Sequence, residues 1–286
     1  MRVLVLGGGQ IAKAVGAAAP AEHEVAIRTH ADLDIVDPSA LARTLAEVRA
    51  DWIVNAAAYT AVDLAESEVA QAVAVNDTAV ASIAGAAARD GSRLLHLSTD
   101  FVFDGESKRA YLPTDRTNPL SVYGSSKLGG ERHVIAGGAG IVLRTSWVYA
   151  ASGKNFVLTM LRLMKEKDRI NVVCDQIGAP TWATSAAAAI WGLIDVQAAT
   201  GIYHWTDLGV ASWYDFAVAI QDEALARGLL SRAIPIMPIH SGEYPTRAQR
   251  PAFSVLDSAL TRALIQAPAR HWRHNLRMML DELRAA

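Results

Sequence analysis

Short apolar runs and longer amphipathic stretches alternate along the first half of the chain. The apolar runs, rich in Val, Ile and Leu, predict strands at residues 2–6, 25–27, 52–54, 93–98 and 141–144. Helices are predicted between them at residues 10–19, 38–49, about 65–89 and 125–133. Strands that alternate with helices at this spacing form a parallel sheet covered on both faces. The expected fold class is therefore α/β, with a doubly wound parallel sheet.

The pattern loosens after Trp147. Helices are predicted at residues 155–166, 183–196, 212–227 and 272–283, with short strands near 170–173 and 234–236. Five prolines between residues 235 and 268 indicate long loops in this part. We therefore predict a larger Rossmann-type domain over residues 1–150 and a smaller C-terminal α/β part over residues 151–286, which can exchange elements with the first.

Composition excludes several classes of protein. A formal net charge of -2 gives no electrostatic case for nucleic acid or an anionic membrane. The apolar run at residues 3–6 is too short for a signal peptide, and no window approaches the roughly 20 apolar residues of a membrane span. The single cysteine, Cys174, excludes an internal disulfide, and the eight histidines show no metal-ligand spacing. We expect a cytoplasmic protein without a metal site.

A glycine motif follows the first predicted strand. Gly7-Gly8-Gly9-Gln10-Ile11-Ala12 fits the pattern G-x-G-x-x-A. Gly7 permits a tight turn, and Gly9 lets the backbone approach a pyrophosphate at the helix N-terminus. The motif alone is also compatible with a structural turn, but its place after the first strand favours a dinucleotide cofactor. Residues 1–150 are thus expected to bind the cofactor, and residues 151–286 mainly the substrate.

The end of the second strand bears on the choice of cofactor. A carboxylate that binds the ribose 2′-hydroxyl of NADH is usual about 20 residues after the glycines. Here the strand ends in Arg28-Thr29-His30, and the planar fork of Arg28 suits the 2′-phosphate of NADPH. Asp32 or Asp34 could still fill the acidic role. We expect NADPH, with NADH as the alternative.

Three polar residues are candidates for catalysis. Tyr123 and Lys127 lie four residues apart, so they share a helix face, and the ammonium is expected to lower the pKa of the phenol for proton transfer. Thr99, at the carboxyl end of the fourth strand, could donate a hydrogen bond to a substrate carbonyl oxygen. The alternatives are a helix-surface pair and a turn threonine. His96 is expected to be a core or edge histidine.

Several longer segments resemble the extended short-chain dehydrogenase/reductase family, and the match runs over nearly the whole chain. Thr99-Asp100-Phe101-Val102-Phe103 and Thr145-Ser146-Trp147-Val148-Tyr149 are much more specific than a glycine turn. The other matching segments are residues 54–63, 65–68, 119–124 with Lys127, 143–144, 175–176, 178–181 and 250–257. Two departures concern the cofactor: the glycine loop is one residue shorter than usual, and Thr29 replaces a common acid.

The resemblance implies NAD(P)H-dependent reduction of the 4-keto group of dTDP-4-dehydro-L-rhamnose to dTDP-L-rhamnose, in nucleotide-sugar and cell-surface polysaccharide biosynthesis. By this analogy Tyr123 donates the proton, Lys127 holds the nicotinamide ribose, and Thr99 binds the carbonyl oxygen. The implied substrate contacts are Thr99, Asp100, Trp147 and Arg250, the last near the diphosphate. The implied cofactor contacts are Gln10, Ile11, Asp34, Ile35, Ala58, Tyr59, Thr60, Tyr123 and Lys127. Together with Gly7, Gly9 and Arg28 they make up the predicted cofactor site.

Two alternatives stay open at the level of sequence. The substrate could be a related 4-keto-6-deoxy sugar nucleotide, since the difference could lie in loop residues. The chain could instead be a non-catalytic subunit that resembles the regulatory β subunit of methionine adenosyltransferase, although intact Thr99, Tyr123 and Lys127 argue against it. The resemblance also leaves room for a homodimer.

Overall fold

The computed structural model describes residues 1–138 and 140–285. In chain order its strands are β1 (Arg2–Leu6), β2 (Glu24–Arg28), β3 (Trp52–Asn55), β4 (Arg93–Thr99), β5 (Gly140–Thr145), β6 (Val148–Tyr149), β7 (Ile170–Val173), β8 (Ile177–Gly178), β9 (Thr181–Trp182), β10 (Gly201–His204), β11 (Ala211–Ser212) and β12 (Ile236–Ile239). Its α-helices are α1 (Gln10–Ala17), α2 (Pro38–Val48), α3 (Val62–Ala65), α4 (Val69–Val73), α5 (Ala79–Asp90), α6 (Val122–Ala136), α7 (Phe156–Glu166), α8 (Ala183–Asp195), α9 (Trp213–Ala226), α10 (Ala259–Leu264) and α11 (Trp272–Ala285).

Within the described ranges, six parallel strands form the main sheet in the order β10-β5-β4-β3-β1-β2. The chain moves from β1 to one edge at β2, then returns to β3 on the other side of β1. The crevice outside the carboxyl ends of β1 and β3 is therefore the switch point at which open α/β sheets bind ligands. This topology confirms the predicted doubly wound sheet.

Both faces of the sheet are covered, because alternate residues of each strand point to opposite sides. On one face Val3 and Val5 pack with side chains of α1 and α8. On the other face Leu4 and Leu6 pack with side chains of α2 and α5. All four are fully buried, which explains why β1 is a continuous apolar run.

The second half of the chain contributes to this sheet as well as forming a core of its own. Strand β10 pairs with β5, and the indole Nε1 of Trp191 on α8 donates to the carbonyl oxygen of Val15 at 3.0 Å. A separate apolar cluster joins α7, α9 and α11 around Phe216 and Leu276. Elements beyond residue 150 therefore lie in both cores, and the division at that residue stays a prediction.

The helical region predicted over about residues 65–89 is helical from Val69 to Asp90, but it starts later than predicted and contains a π-helical turn. Leu64 O accepts from the backbone N–H groups of Ser67 and Glu68 and from the Ser67 hydroxyl, which competes with continued helical bonding. After α4 a π-helical turn, Ala74–Thr78, precedes α5. Such turns are rare in proteins, and those that occur are often at functional sites. Here the turn carries the side chain of Asn76 toward the loop after β3.

Two predicted boundaries also need correction. Helix α6 begins at Val122, three residues earlier than predicted, because the Ser121 hydroxyl accepts from the Gly124 N–H at 3.1 Å and caps it. Tyr123 is thereby in the first helical turn. The strand predicted at 234–236 runs instead over β12, where it pairs in parallel with β7. Helix α2 is capped by Asp37, whose carboxylate accepts from the N–H groups of Ser39 and Ala40.

Candidate active site

Two neighbouring cavities open at the carboxyl ends of the central strands. The first, about 380 Å³, lies over β4 and the start of α6. The second, about 370 Å³, lies over the ends of β1 and β2. Both are lined by Gly9, Ala56, Ala58 and Thr60, so the two form one elongated site across the switch point. An elongated crevice at this position suits a dinucleotide.

The glycine turn forms the floor between the cavities. Gly7 has φ +121°, and a Cβ there would stand 2.9 Å from the carbonyl carbon of Ala56, so only glycine fits without strain. A Cβ on Gly9 would meet nothing within 4 Å. Among the described residues no side chain caps the N-terminus of α1, which leaves its first N–H groups available to an anion. Gln10 is held by Asn155, whose Nδ2 donates to Gln10 Oε1 at 2.9 Å.

The second cavity brings together most of the residues predicted to select the cofactor. Arg28 and Asp34 both line it. Asp32, the other candidate acid, is engaged elsewhere: its carboxylate accepts from the backbone N–H and the hydroxyl of Thr29 at 2.9 and 2.8 Å. These bonds lower the pKa of Asp32. The remaining predicted residues of this lining are Gly7, Gly9, Ile35, Ala58, Tyr59 and Thr60.

The loop after β3 is held in place by the π-helical turn. The Tyr59 N–H donates to Asn76 Oδ1 at 2.9 Å, and Asn76 Nδ2 donates to Tyr59 O at 3.0 Å and to the Ser126 hydroxyl at 3.1 Å. Asn76 is fully buried. The turn therefore fixes the wall shared by the two cavities, a role that no signal in the sequence indicated.

The first cavity contains the predicted catalytic residues. Thr99, Asp100, Tyr123 and Lys127 all line it, and the Thr99 hydroxyl donates to Asp100 Oδ1 at 3.1 Å. Asp100 Oδ2 has no hydrogen-bond partner within residues 1–138 and 140–285. Burial raises the pKa of Asp100 to about 6, although the hydroxyls of Ser254 and Thr99 oppose the rise. A carboxyl group that is costly to ionise thus faces the cavity.

The prediction that Lys127 lowers the pKa of Tyr123 is wrong. Burial, and then the charge of Asp100, raise the pKa of Tyr123 to about 12, although Thr99 opposes the rise by hydrogen bonding. Lys127 Nζ points elsewhere and donates to the carbonyl oxygen of Leu97 at 2.6 Å. Burial lowers the pKa of Lys127 to about 8, although Glu131 opposes this. Tyr123 is therefore a phenol at neutral pH and can act as a proton donor.

A pair of stacked indoles lines part of the first cavity. Trp147 and Trp213 stack with ring centroids 3.5 Å apart and 5° between their planes. Trp147 has φ +47°, a strained conformation for a bulky residue, and its ring lies where a Cβ on Gly178 would stand. Trp147 was expected here from the family resemblance. Trp213 was not, and nothing in its local sequence points to the cavity.

Arg250 is the predicted residue that the structure places outside both linings, judged on the described residues. Its guanidinium forms a bidentate pair with Asp63, with distances of 3.1 and 2.7 Å. The neighbouring Val62 does line the first cavity. Asp63 thus holds Arg250 beside a segment that lines the first cavity.

In the part of the chain that the structure describes, no helix is long and apolar enough to cross a membrane. The same residues contain no group of three or more His, Cys, Asp or Glu side chains that could hold a metal ion.

A doubly wound sheet with a glycine turn at its switch point, and with Tyr123 and Lys127 lining the cavity beside that turn, is the arrangement of a Rossmann-type nicotinamide-dependent reductase. The family model described as RmlD substrate binding domain matches residues 1–285, so the chain belongs to this family. The dTDP-4-dehydrorhamnose reductase of Burkholderia thailandensis is 40% identical, with 99% of each chain covered. That of Aggregatibacter actinomycetemcomitans is 42% identical, with 90% of each covered. The crystal structure of dTDP-4-dehydrorhamnose reductase from Bacillus anthracis in complex with NADP superposes with a TM-score of 0.93, at 32% identity, over 98% of this chain and 99% of that one.

Proposed function

We propose that the chain reduces the 4-keto group of dTDP-4-dehydro-L-rhamnose to give dTDP-L-rhamnose, with NADPH as the reductant. The observation that carries the proposal is Tyr123, a half-buried phenol at the switch-point cavity, in a chain that is similar over nearly its whole length to dTDP-4-dehydrorhamnose reductases. Carbonyl reduction needs a proton donor at the oxygen, and a phenol that stays protonated at neutral pH meets that need.

The residues of the two cavities fit NADPH. The uncapped N-terminus of α1 and the open space over Gly9 suit a pyrophosphate, and Arg28 suits a 2′-phosphate. Asp34, Ile35 and the segment 58–60 would hold the adenosine half, while Gln10, Ile11 and Lys127 would hold the nicotinamide half. When bound, NADPH supplies a hydride to the carbonyl carbon of the sugar.

The chain's own residues would handle the oxygen. Thr99 donates a hydrogen bond to the carbonyl oxygen as it gains charge, and Tyr123 gives up its hydroxyl proton to the same oxygen. The carbonyl carbon gains a C–H bond from the hydride, and the oxygen gains an O–H bond from Tyr123 as the C=O double bond becomes single. Solvent then replaces the proton that Tyr123 loses. Asp100 and Trp147 would contact the sugar ring and orient it. Arg250, positioned by Asp63, would pair with the diphosphate.

Tyr123→Phe tests the assignment, because it removes the hydroxyl and keeps the ring that packs edge-on against Phe101. With dTDP-4-dehydro-L-rhamnose and NADPH, cofactor oxidation should fall by about 10²–10⁴-fold, the usual contribution of a general acid. The affinity for NADPH, measured by fluorescence titration, should change little. A variant that keeps half its rate would remove Tyr123 from the mechanism. A wild type that oxidises NADPH with other 4-keto-6-deoxy sugar nucleotides, but not with this one, would replace the substrate.

A further inference from the structure

Trp213 lines the first cavity, but the proposed reaction gives it no role. It lies there together with Trp147, and both indoles are partly buried. Trp213 is the first residue of α9, where the capping box of Ser212 and Asp215 fixes the start of the helix. Phe156 packs against its ring at a centroid distance of 4.6 Å. The C-terminal core therefore determines where the Trp213 ring lies.

Both faces of the Trp147 indole are covered. The Trp213 ring stacks on one face at 3.5 Å, with 5° between the two planes. Gly178 lies against the other: a Cβ there would stand 2.5 Å from Trp147 Cε2, and 2.7 and 2.8 Å from Nε1 and Cζ2, the two atoms on either side of Cε2. A point that is nearest to Cε2 and farther from both of these atoms lies above the ring plane. None of the three nearest atoms belongs to Trp213, so this is the face away from it.

The conformation of Trp147 depends on support from its neighbours. Its φ of +47° lies in the left-handed region, which is unfavourable for a bulky residue. The Thr181 N–H donates to Trp147 O at 3.2 Å, and this bond holds the backbone. The ring itself is held by the stack with Trp213 and by the contact with Gly178. Loss of the Trp213 ring would therefore open other orientations to the Trp147 side chain.

We propose that Trp213 is a positioning residue: it presses the Trp147 indole against Gly178, so that Trp147 meets the sugar of a bound nucleotide with its edge and not with its face. The inference deepens the proposed function and rests on it. The edge of an indole carries its N–H, the only hydrogen-bond donor of the ring. Sugar hydroxyl oxygens accept such bonds, and a directional bond fixes the orientation of the sugar better than stacking does.

Loss of the stack should change KM more than kcat. A ring that is only part of the time in the competent orientation lowers the apparent affinity by that fraction, whereas correctly bound substrate still reacts at the normal rate. The usual strength of an aromatic pair corresponds to about a two- to tenfold effect. Trp213→Leu should therefore show a KM for dTDP-4-dehydro-L-rhamnose about two- to tenfold higher than Trp213→Phe, which keeps a flat ring. The two variants should bind NADPH equally, and equal KM values for the sugar nucleotide would contradict the proposal.

A double-mutant cycle separates this role from direct contact between Trp213 and the sugar. In a Trp147→Ala background, Trp213→Leu should raise KM no further, because no ring is left to be held in place. Losses that add in the double variant would show that Trp213 binds the sugar itself, and would overturn the proposal.

NMR of the free protein tests the stack without any sugar nucleotide. Ring C–H groups that lie over another aromatic face are shifted upfield by its ring current. The seven tryptophans can be labelled with ¹³C in the ring and assigned by single substitutions. The Trp147 signals should be upfield in the wild type and move downfield in Trp213→Leu. They should stay in place in the control Trp52→Phe, which changes the amino end of β3, far from the carboxyl edge. Trp147 signals without an upfield shift in the wild type would overturn the proposal.

The same spectra with saturating dTDP-L-rhamnose distinguish contact by the edge from contact by the face. We expect the upfield shift of Trp147 to persist in the complex. Its disappearance would show that the sugar has replaced Trp213 on the indole face, and would contradict the proposal. A wild type that neither turns over nor binds these sugar nucleotides would refute the proposed function and the edge contact with it, whereas the spectra of the free protein would still decide whether Trp213 holds Trp147.

Discussion

Asp100→Asn should stabilise the protein at neutral pH, because Asp100 is an ionised carboxylate in a buried place. The side chain is 2% exposed and one of its oxygens has no partner among the described residues. Its pKa is raised from 3.8 to about 6 by burial. The stability associated with the protonated form is therefore fully present below about pH 4 and is lost as the pH rises from about 4 through 6. About two pH units at 1.36 kcal/mol each give a cost on the order of 3 kcal/mol above pH 7.

Urea unfolding followed by tryptophan fluorescence at pH 4.5, 6 and 8 measures this cost. The variant should gain about 1 kcal/mol at pH 4.5 and about 3 kcal/mol at pH 8, while losing activity because Asp100 lines the cavity. Asp115→Asn is the matched control: Arg109 binds that carboxylate at 2.8 Å and lowers its pKa, so its removal should destabilise slightly at pH 8. A gain for Asp100→Asn that does not change with pH would refute the reasoning, as would no gain at pH 8.

Three further substitutions test other parts of the account. Arg28→Ala should reduce kcat/KM for NADPH about tenfold or more and leave NADH little changed, whereas the exposed Arg43→Ala should affect neither; an unchanged cofactor ratio would contradict the role of Arg28. Arg250→Ala should raise KM for the sugar nucleotide about ten- to hundredfold without altering the affinity for NADPH, and an unchanged KM would exclude contact with the diphosphate. Gly130→Ala should lower the free energy of unfolding by about 1–3 kcal/mol, because its Cβ would stand 2.3 Å from the backbone oxygen of Asn76. Gly129→Ala, which meets the mobile side-chain end of Asp77 instead, should cost less, and equal losses in the two variants would contradict this packing argument.

Five of the six strands of the main sheet were predicted from sequence, because most of them are buried on both faces and read as apolar runs; the edge strand β10 was not predicted. Strand β1, with Val3 and Val5 on one face and Leu4 and Leu6 on the other, is the clearest case. The later start of the helical region, at Val69, and its π-helical turn were not predictable, because the first depends on local competition by Ser67 and the second carries the distant contact of Asn76 with Tyr59. Helical periodicity carries no signal for either.

The candidate site was predictable where a residue's position on a strand or helix places it at the carboxyl edge. Thr99, Tyr123 and the glycine turn are of this kind. Trp213 reaches the cavity only because α9 packs in the C-terminal core, and its stacking on Trp147 joins residues 66 positions apart. The direction of the pKa shift of Tyr123 was also out of reach, because it depends on burial and on where Lys127 points.

The most direct test of the central claim follows the hydrogen atoms. The protein is incubated with dTDP-4-dehydro-L-rhamnose and NADPH that carries deuterium at the transferable position of the nicotinamide, and the sugar nucleotide product is analysed by NMR. We predict one deuterium at C4 of dTDP-L-rhamnose, with Tyr123→Phe forming little product in the same time. A product without deuterium, the C4 epimer dTDP-6-deoxy-L-talose, or no turnover by the wild type would contradict the account.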